Sequence, residues 1–407
     1  MNKSPKTLLF VTYQYPYLPG EYFIEEEIKY LSKAFKKLLV VPARCFWWTA
    51  SGEAREMPEN VELVDPRLFP LYLRVYWSVW AMIVAFIVHL KGHATWPGSP
   101  AVEKVSFIPG LKSTYKTCVA KCFLGYAIKN HVAGELVAYS YWRNFAAASL
   151  GLLKKHQCLS RLYVRCHRVD IYHPNRWPNQ SIIQNFADAV FPVSQDGFVH
   201  LTRDKGLNSD AIEVQRLGVG IPENSGLGSD DGVLRILSCS NIVPVKRVDL
   251  IAKMVRELPG KIEWIHIGEG SDKDDVLEVC KTFDENHRFN FLGRLANAEV
   301  LKYYENNPID LFVNLSESEG VPVSIMEALS YGIPVLATDV GGTGEIVGEN
   351  NGLLVTVDTP VDLIIQKTAK LLQSDTFNCL RANARETAEE ICSSERNYRK
   401  FCERIQK

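Results

Sequence analysis

The sequence predicts an α/β protein built from two doubly wound domains that face each other across a cleft. Three observations support this prediction. The chain has 407 residues, which is too long for one ordinary hydrophobic core. Short apolar, β-branched segments alternate with longer helical patterns, an order that is typical of parallel sheets covered by helices. A glycine-rich segment without apolar periodicity, residues 222–232, interrupts this alternation.

Each half of the chain contains its own series of strand candidates. They are short, buried in character and flanked by Gly, Pro or Asp, as expected for strands of a parallel sheet. Between them, the stretch Val248–Leu258 places its apolar residues on one face of a helix. The predicted strands are 8–11, 38–41, 61–64, 136–139, 162–164 and 189–193 in the first half, and 236–238, 264–267, 290–292, 311–315 and 335–338 in the second.

The glycine-rich segment is the predicted linker. We expect an N-terminal domain over residues 1–221, the linker over residues 222–232 and a C-terminal domain over residues 233–407. The last helix is a candidate to pack back on the N-terminal domain. In doubly wound sheets ligands bind beyond the carboxyl ends of the strands, so we expect the functional residues in loops that follow strands.

Composition excludes several classes of protein. Lys and Arg number 46 against 47 Asp and Glu, so a nucleic-acid partner has no electrostatic support. A chain with 46% hydrophobic residues is not disordered. The ten cysteines are scattered without zinc-type spacing, which favours a reducing cytosol, and the apolar run at Leu8 is too short for a secretory signal. We therefore expect a globular cytoplasmic protein.

Residues 75–90 form an uncharged apolar run between Arg74 and Lys91. As a helix at about 1.5 Å per residue, the run is shorter than the ~30 Å hydrocarbon core of a bilayer. Three interpretations stay open: a helix buried in the core, a helix at a membrane surface or facing a lipid acceptor, and a transmembrane span. The second interpretation predicts peripheral attachment to the inner face of the membrane.

The strongest functional pattern lies between Asp310 and Leu329. A strand leads into a short loop with Glu319, and a helix begins near Pro322, so free backbone amides at the helix start could bind a diphosphate. Glu327 stands among apolar residues, where a carboxylate is costly unless it accepts hydrogen bonds such as those from ribose hydroxyls. The alternative is that both glutamates only complement a helix dipole on a solvated face.

Glu319 and Glu327 are eight positions apart, and the chain resembles the retaining family-4 glycosyltransferases of the GT-B fold, the group 1 bacterial polysaccharide type. The resemblance covers nearly the whole chain and is most specific between Asp310 and Val347. It implies two Rossmann-like domains, with the first glutamate on the donor sugar and the second on the nucleotide ribose. It also implies that the segment of Gly320, Val321, Pro322, Val323 and Ser324 binds the sugar and the phosphates through its backbone N–H groups, of which Pro322 has none.

A second match to this family begins at Ser240. There the family holds the sugar donor's diphosphate with an arginine and a lysine five positions apart; Lys246 matches the lysine, whereas Asn241 replaces the arginine. A lysine alone lacks the forked hydrogen bonds of arginine, so the predicted diphosphate clamp is weakened unless Arg247 substitutes. The alternative is that Lys246 is an ordinary surface lysine at a helix start.

Two further matches lie near the expected nucleotide base. Gly268 belongs to a glycine-rich turn, and Arg294 follows a strand candidate at the loop that the family places beside the base. Each residue has an ordinary alternative, a turn glycine and a solvated arginine.

In the first half, His167 follows a strand where the resemblance implies a cleft histidine near the reacting sugar carbon, and His173 is its competitor. A neutral imidazole or the backbone carbonyl of this residue could bind a sugar hydroxyl or stabilise cationic character in the transition state, although a lone histidine is often structural. Gly20 and Glu21 match a loop that approaches the donor phosphates or the acceptor. Tyr141 could stack on acceptor sugars or could be buried.

No metal or other cofactor is expected. Asp272 and Asp274 form an Asp-x-Asp pattern, which is the metal signature of another glycosyltransferase fold, but they lie at a helix start rather than directly after a strand. The resemblance therefore implies metal-independent transfer of a sugar from a nucleotide-diphosphate sugar to a hydroxyl of a growing, lipid-linked or free glycan. Two alternatives stay open: a sugar-nucleotide 2-epimerase, and a nucleotide-sugar-binding protein without catalysis.

Overall fold

The computed structural model describes residues 4–18, 20–47, 52–90, 107–172, 180–204, 207–373 and 377–407. Its contacts divide the chain into two compact units. The first unit contains Met1–Gln215 together with Tyr398–Lys407, and the second contains Arg216–Asn397.

The first unit contains a six-stranded parallel sheet with the order β3-β2-β1-β4-β5-β6. This order is that of a doubly wound sheet, and apolar clusters cover both of its faces. The strands are β1 (Ser4–Thr12), β2 (Phe35–Pro42), β3 (Val61–Leu63), β4 (Leu136–Ser140), β5 (Arg161–Cys166) and β6 (Ala189–Pro192). The helices are α1 (Ile24–Ala34), α2 (Leu71–Leu90), α3 (Phe107–His131), α4 (Phe145–Lys155), α5 (Arg168–Tyr172), α6 (Gln180–Phe186) and α7 (Gln195–Val199).

The second unit repeats this topology with the order β12-β11-β10-β7-β8-β9, again with parallel neighbours. Its strands are β7 (Val233–Cys239), β8 (Lys261–Ile267), β9 (His287–Gly293), β10 (Leu311–Asn314), β11 (Val335–Thr338) and β12 (Gly352–Val355). Its helices are α8 (Val248–Glu257), α9 (Lys273–Cys280), α10 (Asn297–Asn306), α11 (Val323–Ser330), α12 (Val361–Leu372) and α13 (Phe377–Thr387), and α14 (Ser394–Gln406) begins here and ends in the first unit.

The predicted fold class is confirmed, and each of the eleven strand candidates lies within or overlaps an observed strand. The sequence analysis missed β12, an edge strand with only one β-branched residue. This strand depends on close pairing, because a Cβ on Gly352 would lie 2.0 Å from the carbonyl oxygen of Val335. Such a contact between distant segments leaves no periodic signal in the sequence.

The glycine-rich segment at residues 222–232 lies inside the second unit, so the observed division differs from the predicted linker. Backbone hydrogen bonds attach this segment to the second sheet: Gly226 N donates to Tyr331 O at 2.7 Å, and Ile309 N donates to Leu227 O at 2.9 Å. Irregular backbone that is hydrogen-bonded in this way belongs to the domain it contacts.

The end of α14 packs in the first unit over a buried ion pair. Arg165 Nη1 and Glu27 Oε2 are 2.9 Å apart, and both side chains are fully buried. The guanidinium carbon of Arg165 lies 4.6 Å from the ring centroid of Phe401 in α14, and Tyr139 donates a hydrogen bond to Glu27. Contacts of the C-terminal residues therefore close one side of the first unit's core.

Helix α2 has one buried side and one exposed apolar side. Trp77 packs against Phe123 and Tyr126 of α3, with ring centroids 5.1 and 5.5 Å apart, and Ala81 is fully buried. No helix in the described part of the chain is long and apolar enough to cross a membrane. The exposed apolar side chains of α2 are Leu71, Tyr72, Val75, Tyr76, Val79, Trp80, Met82, Ile83, Phe86 and Ile87.

Candidate active site

The second unit's candidate site lies where the order of its sheet reverses. Strands β7 and β10 are neighbours, and each is followed by a loop and then a helix. In doubly wound sheets the loops at this point diverge to opposite faces and leave a crevice that binds ligands. The predicted sugar-donor residues lie in these two loops and in the helices that follow them.

Lys246 and Glu319 form an ion pair between the two loops. The Lys246 Nζ lies 2.5 Å from Glu319 Oε1, and the two side chains are 24% and 10% exposed. Asn314, the last residue of β10, also donates from Nδ2 to Glu319 Oε1 at 3.3 Å. The structure thus joins a cation and a carboxylate that are far apart in the sequence, at the position where a diphosphate and its sugar were expected.

The loop after Glu319 is held close to a neighbouring turn. Gly342 N donates to Gly320 O at 2.6 Å, and Gly341 adopts a φ of +57° directly against this loop. A Cβ on Gly341 would lie 2.1 Å from the Glu319 carbonyl oxygen, so only glycine fits there.

Helix α11 then begins with Pro322 at its N-cap, which supplies no side-chain cap. Ile325 N donates to Pro322 O, so the amides of Val323 and Ser324 are the first-turn donors that could bind an anion.

Glu327 is buried in α11 and has one described hydrogen-bond donor. Asn297 Nδ2 donates to Glu327 Oε1 at 2.7 Å. Burial raises the pKa of Glu327 to about 7, and the Asn297 hydrogen bond opposes this rise only in part. The carboxylate therefore has unused accepting capacity in a poorly solvated place, which suits hydroxyl donors such as those of a ribose.

The raised pKa predicts a pH-dependent effect of Glu327→Gln on stability. The native state binds the carboxyl proton more tightly than the unfolded chain, whose pKa is near 4.5, so Glu327 destabilises the protein progressively as pH rises from about 4.5 to about 7. Glutamine stays neutral, and we expect the variant's free energy of unfolding to exceed that of the wild type by about 3 kcal/mol near pH 8, with little difference near pH 4.5.

Denaturant titrations at the two pH values measure this difference. Glu317→Gln, at an exposed position in the β10–α11 loop, is the matched control and should show no such pH dependence. A Glu327→Gln effect of equal size at both pH values would contradict the buried carboxylate.

The segment after β7 contains Asn241, which stands where the family has an arginine, and Arg247, which could replace that arginine in the diphosphate clamp. Asn241 is exposed. Arg247 adopts a φ of +46°, and its guanidinium donates to Leu315 O at 2.6 Å and to Val357 O at 2.8 Å. Arg247 thus ties the start of α8 to neighbouring backbone, and its Nη2 is buried without a hydrogen-bond partner in the described part of the chain. A contact of Arg247 with the diphosphate stays a prediction.

Gly268 and Arg294 lie after the neighbouring strands β8 and β9. Gly268 has a φ of +149°, and a Cβ there would lie 1.8 Å from the Ser240 carbonyl oxygen, so this glycine permits close packing of two site loops. Arg294 is exposed. Their contact with a nucleotide base stays a prediction.

In the first unit, Glu21 is the centre of a cluster of hydrogen-bond donors. Its carboxylate accepts the backbone amides of Tyr13 at 3.1 Å and of Gln14 and Tyr15 at 2.5 Å, and it accepts the indole N–H of Trp142 at 2.5 Å. These amides follow β1 and would otherwise be available to an external anion. Glu21 already occupies them, so in this structure it organises the loop.

Gly20 precedes this carboxylate with a φ of +129°, and Glu21 itself has a φ of +48°. Two successive residues with positive φ turn the chain sharply and allow the Glu21 side chain to point back at the amides. In this structure the loop binds its own carboxylate, and its approach to the donor phosphates or to the acceptor stays a prediction.

His167 lies at the end of β5 in an aromatic pocket. Its ring centroid is 4.7 Å from those of both Tyr141 and Trp142. Burial and the charge of Arg165 lower the pKa of His167 to about 3, so the imidazole is neutral at physiological pH. Its Nε2 is buried without a hydrogen-bond partner in the described part of the chain, whereas its main-chain carbonyl accepts two amides, of Asp170 at 2.9 Å and of Ile171 at 3.1 Å. The imidazole, rather than the carbonyl, has free hydrogen-bonding capacity.

Of the two roles expected for Tyr141, stacking on acceptor sugars and burial, the structure shows burial. Its side chain is fully buried against Phe10 and Phe23, so its ring is part of the core. Trp142, which is partly exposed, is the aromatic residue of this segment that reaches the Glu21 carboxylate. The competitor His173 lies outside the described residues.

The acidic pattern at Asp272 lies at the start of α9, with Asp274 and Asp275 in the first helical turn. Within the described ranges, no group of three or more His, Cys, Asp or Glu side chains is arranged to hold a metal ion.

Two residues of these sites were not singled out from the sequence: Asn297 and Asn314. Each reaches a candidate glutamate from a different element, and Asn297 is 30 residues from its partner. Asn314 is the penultimate residue of the strand candidate 311–315, near the carboxyl end where ligands bind in such sheets, so the sequence held a clue for this residue.

Comparison with known proteins agrees with this arrangement. Residues 223–391 match the family model for glycosyl transferases group 1. The O-antigen biosynthesis glycosyltransferase WbnH of Escherichia coli is 27% identical over 256 residues, which are 62% of this chain and 71% of the relative.

Solved structures support the fold. The structure of HepE from Anabaena in complex with UDP has a TM-score of 0.65 and 16% identity, and the match covers 98% of this chain and 99% of that chain. Sucrose-phosphate synthase from Thermosynechococcus elongatus has a TM-score of 0.71 and 12% identity, with 98% of each chain covered. Residues 223–391 therefore form a glycosyl transferases group 1 domain, and the chain is a glycosyltransferase with the GT-B fold.

Proposed function

We propose that this glycosyltransferase moves a sugar, with retention of its anomeric configuration, from a nucleotide-diphosphate sugar to a hydroxyl of a growing cell-surface polysaccharide. The observation that carries the proposal is the Lys246–Glu319 pair at the point where the second sheet reverses. The O-antigen role of the relative WbnH supports the polysaccharide, and the UDP bound to HepE supports a nucleotide donor. The resemblance of the segment around Glu319 and Glu327 to retaining family-4 glycosyltransferases supports retention.

The chemistry follows from the charges in the two loops. The bond between the anomeric carbon and the diphosphate oxygen breaks, and the acceptor oxygen bonds to the same carbon from the same face, while the acceptor proton passes to the leaving diphosphate. Lys246 and the first amides of α11 offset the charge that develops on the diphosphate, so the proposed transfer needs no metal or organic cofactor. Glu319 exchanges its lysine partner for the hydroxyls of the sugar.

Product analysis tests the proposal. The protein is incubated with a panel of nucleotide sugars and acceptor oligosaccharides, and the anomeric coupling of the product is measured by NMR. Retention is expected, and an inverted product would contradict the mechanism. With the sugar donor alone, a sugar-nucleotide 2-epimerase would produce a new sugar nucleotide, and a non-catalytic binding protein would bind the donor without any turnover.

We further propose that the acceptor is lipid-linked and that the enzyme works on the cytoplasmic face of the membrane, attached through α2. The exposed apolar side of α2 supports this, because monomeric proteins rarely expose apolar patches larger than a few hundred Å². Aromatic and aliphatic side chains on one side of a helix suit a bilayer interface.

Liposome co-sedimentation tests the attachment. Replacing the exposed Trp80, Ile83 and Phe86 with serine should release the protein from anionic liposomes. Trp77 is kept in this variant because it packs against α3. Wild-type protein that stays in the supernatant at physiological salt would contradict membrane attachment.

A further inference from the structure

We infer that the cavity between α2 and α3 binds the hydrocarbon chain of one phosphate-bearing lipid, which is the lipid part of the acceptor. The inference rests on the proposed transfer to a lipid-linked glycan and deepens it. It assigns the lipid to a defined site in the first unit, in addition to general attachment at a membrane surface.

The cavity has a suitable size and lining. Its volume is about 410 Å³, within the range of about 300–1,000 Å³ that is typical of ligand pockets. Both helices contribute to it, and the buried Ala85 leaves room at the α2 side. Apart from one lysine and a tyrosine, the lining side chains are apolar. They are Met82, Ala85, Phe86, Ile108, Leu111, Lys112 and Tyr115.

The topology places this cavity on the same edge of the sheet as His167. Helix α4 begins at Phe145, just beyond the carboxyl end of β4, and Lys116 of α3 lies 5.7 Å from the Phe145 ring. Ser149 of α4 donates to Thr117 O of α3 at 2.8 Å. Helix α3 therefore passes the carboxyl edge near Lys116, and its residues 107–115 extend about 13 Å beyond that edge at about 1.5 Å per residue. The cavity belongs to this extension.

The charge of this region fits an anionic lipid. Helices α2 and α3 contain five lysines and arginines and no acidic residue, whereas the whole chain has a net charge of -1. Lys112 lines the cavity itself. A lysine beside an apolar cavity can hold a phosphate while the attached chain enters the cavity.

The same charge pattern distinguishes the lipid from a second copy of the chain. Lys112 is the charged residue of the cavity lining, and neither α2 nor α3 contains an acidic residue with which a second copy could pair it. A phosphate-bearing lipid complements both the charge and the apolar side chains.

Titration calorimetry with citronellyl phosphate, below its micelle concentration, tests the inference without a membrane. We expect one molecule to bind per chain, with citronellol and inorganic phosphate each about tenfold weaker, because each lacks half of the interaction. Lys112→Gln should weaken citronellyl phosphate binding several-fold and leave citronellol binding unchanged.

Two exposed positions on α2 provide a matched pair of variants. Phe86 lines the cavity and is 51% exposed, whereas Val79 is 53% exposed and lies outside the lining. Phe86→Asp should weaken citronellyl phosphate binding about tenfold or more, because a carboxylate is costly beside a bound apolar chain. Val79→Asp should leave the affinity within about a factor of 2. Circular dichroism checks the folding of both variants.

Three results would overturn the inference. Equal losses in the two variants would assign binding to the whole exposed side of α2, and several weakly bound molecules per chain would indicate an unspecific surface. Dimers in light scattering that Phe86→Asp dissociates would assign the cavity to a second copy. Nucleoside diphosphate binding by the wild-type protein, measured in parallel by thermal shift, separates the two proposals. A wild-type protein that binds no nucleoside diphosphate would contradict the proposed transferase site. A wild-type protein that binds the nucleoside diphosphate but not citronellyl phosphate would contradict only the lipid site.

Discussion

Replacing Glu319 with alanine is expected to lower turnover by about 10²-fold or more, on the order of 2.7 kcal/mol of transition-state stabilisation. The carboxylate lies at the end of the β10 loop, mostly buried, with Lys246 and Asn314 as its partners. As the sugar becomes positively charged, a carboxylate held in this way gains more interaction energy than it has with the bound substrate. The loss should therefore appear mainly in kcat.

The fold should survive this substitution. The partner Lys246 is 24% exposed and can reach water when its carboxylate is removed. Steady-state kinetics with the natural acceptor measures the effect, and Glu317→Ala, in the same loop but exposed, is the control that should retain activity. Glu319→Gln keeps the side-chain size and should lose activity to a similar extent if charge is responsible. Turnover at the wild-type level in Glu319→Ala would show that the sugar binds elsewhere.

Lys246→Ala should weaken binding of the nucleoside diphosphate by about 10- to 100-fold, because a hydrogen bond to a charged group contributes about 1.5–3 kcal/mol. Asn241→Ala should have a much smaller effect, since the exposed asparagine brings no charge to the diphosphate. In this structure Arg247 donates to the carbonyls of Leu315 and Val357, so the contrast tests Lys246 as the cation that binds the diphosphate.

The matched control is Lys253→Ala. Lys253 lies in the neighbouring helix α8 and pairs with Asp249 at the surface, so its removal changes the net charge equally without touching the site. Dissociation constants for the nucleoside diphosphate, measured by calorimetry, compare the variants. Equal losses in the Lys246 and Asn241 variants, or a large loss in the Lys253 variant, would show that the phosphates do not bind at Lys246.

Local pattern was sufficient to predict the fold class and most strands. A parallel strand such as β1 is buried on both faces, so its continuous apolar run marks it in the sequence, and the amphipathic period of α8 marks that helix equally well. The sequence also singled out Lys246, Glu319 and Glu327, because each matched a motif with fixed spacing. It could not assign their partners.

Tertiary structure alone decided where side chains point and what they contact. Lys246 and Glu319 meet across 73 residues, and Arg247, adjacent to Lys246 in the sequence, turns to other backbone. The glycine-rich segment at 222–232 looked like a linker because it lacks periodicity, yet its backbone is hydrogen-bonded into the second unit. Tyr141 and Trp142 are sequence neighbours with opposite environments.

The apolar run in α2 shows the same limit. Its composition was compatible with a buried helix and with a surface helix. In the structure one side of α2 is buried, with Trp77 packed against α3, and the other side is exposed, with Phe86 beside a cavity. Periodicity in a sequence describes the spacing at which apolar and polar residues recur. The partner that covers a side chain depends on contacts between segments far apart in the chain, which single-residue patterns do not contain.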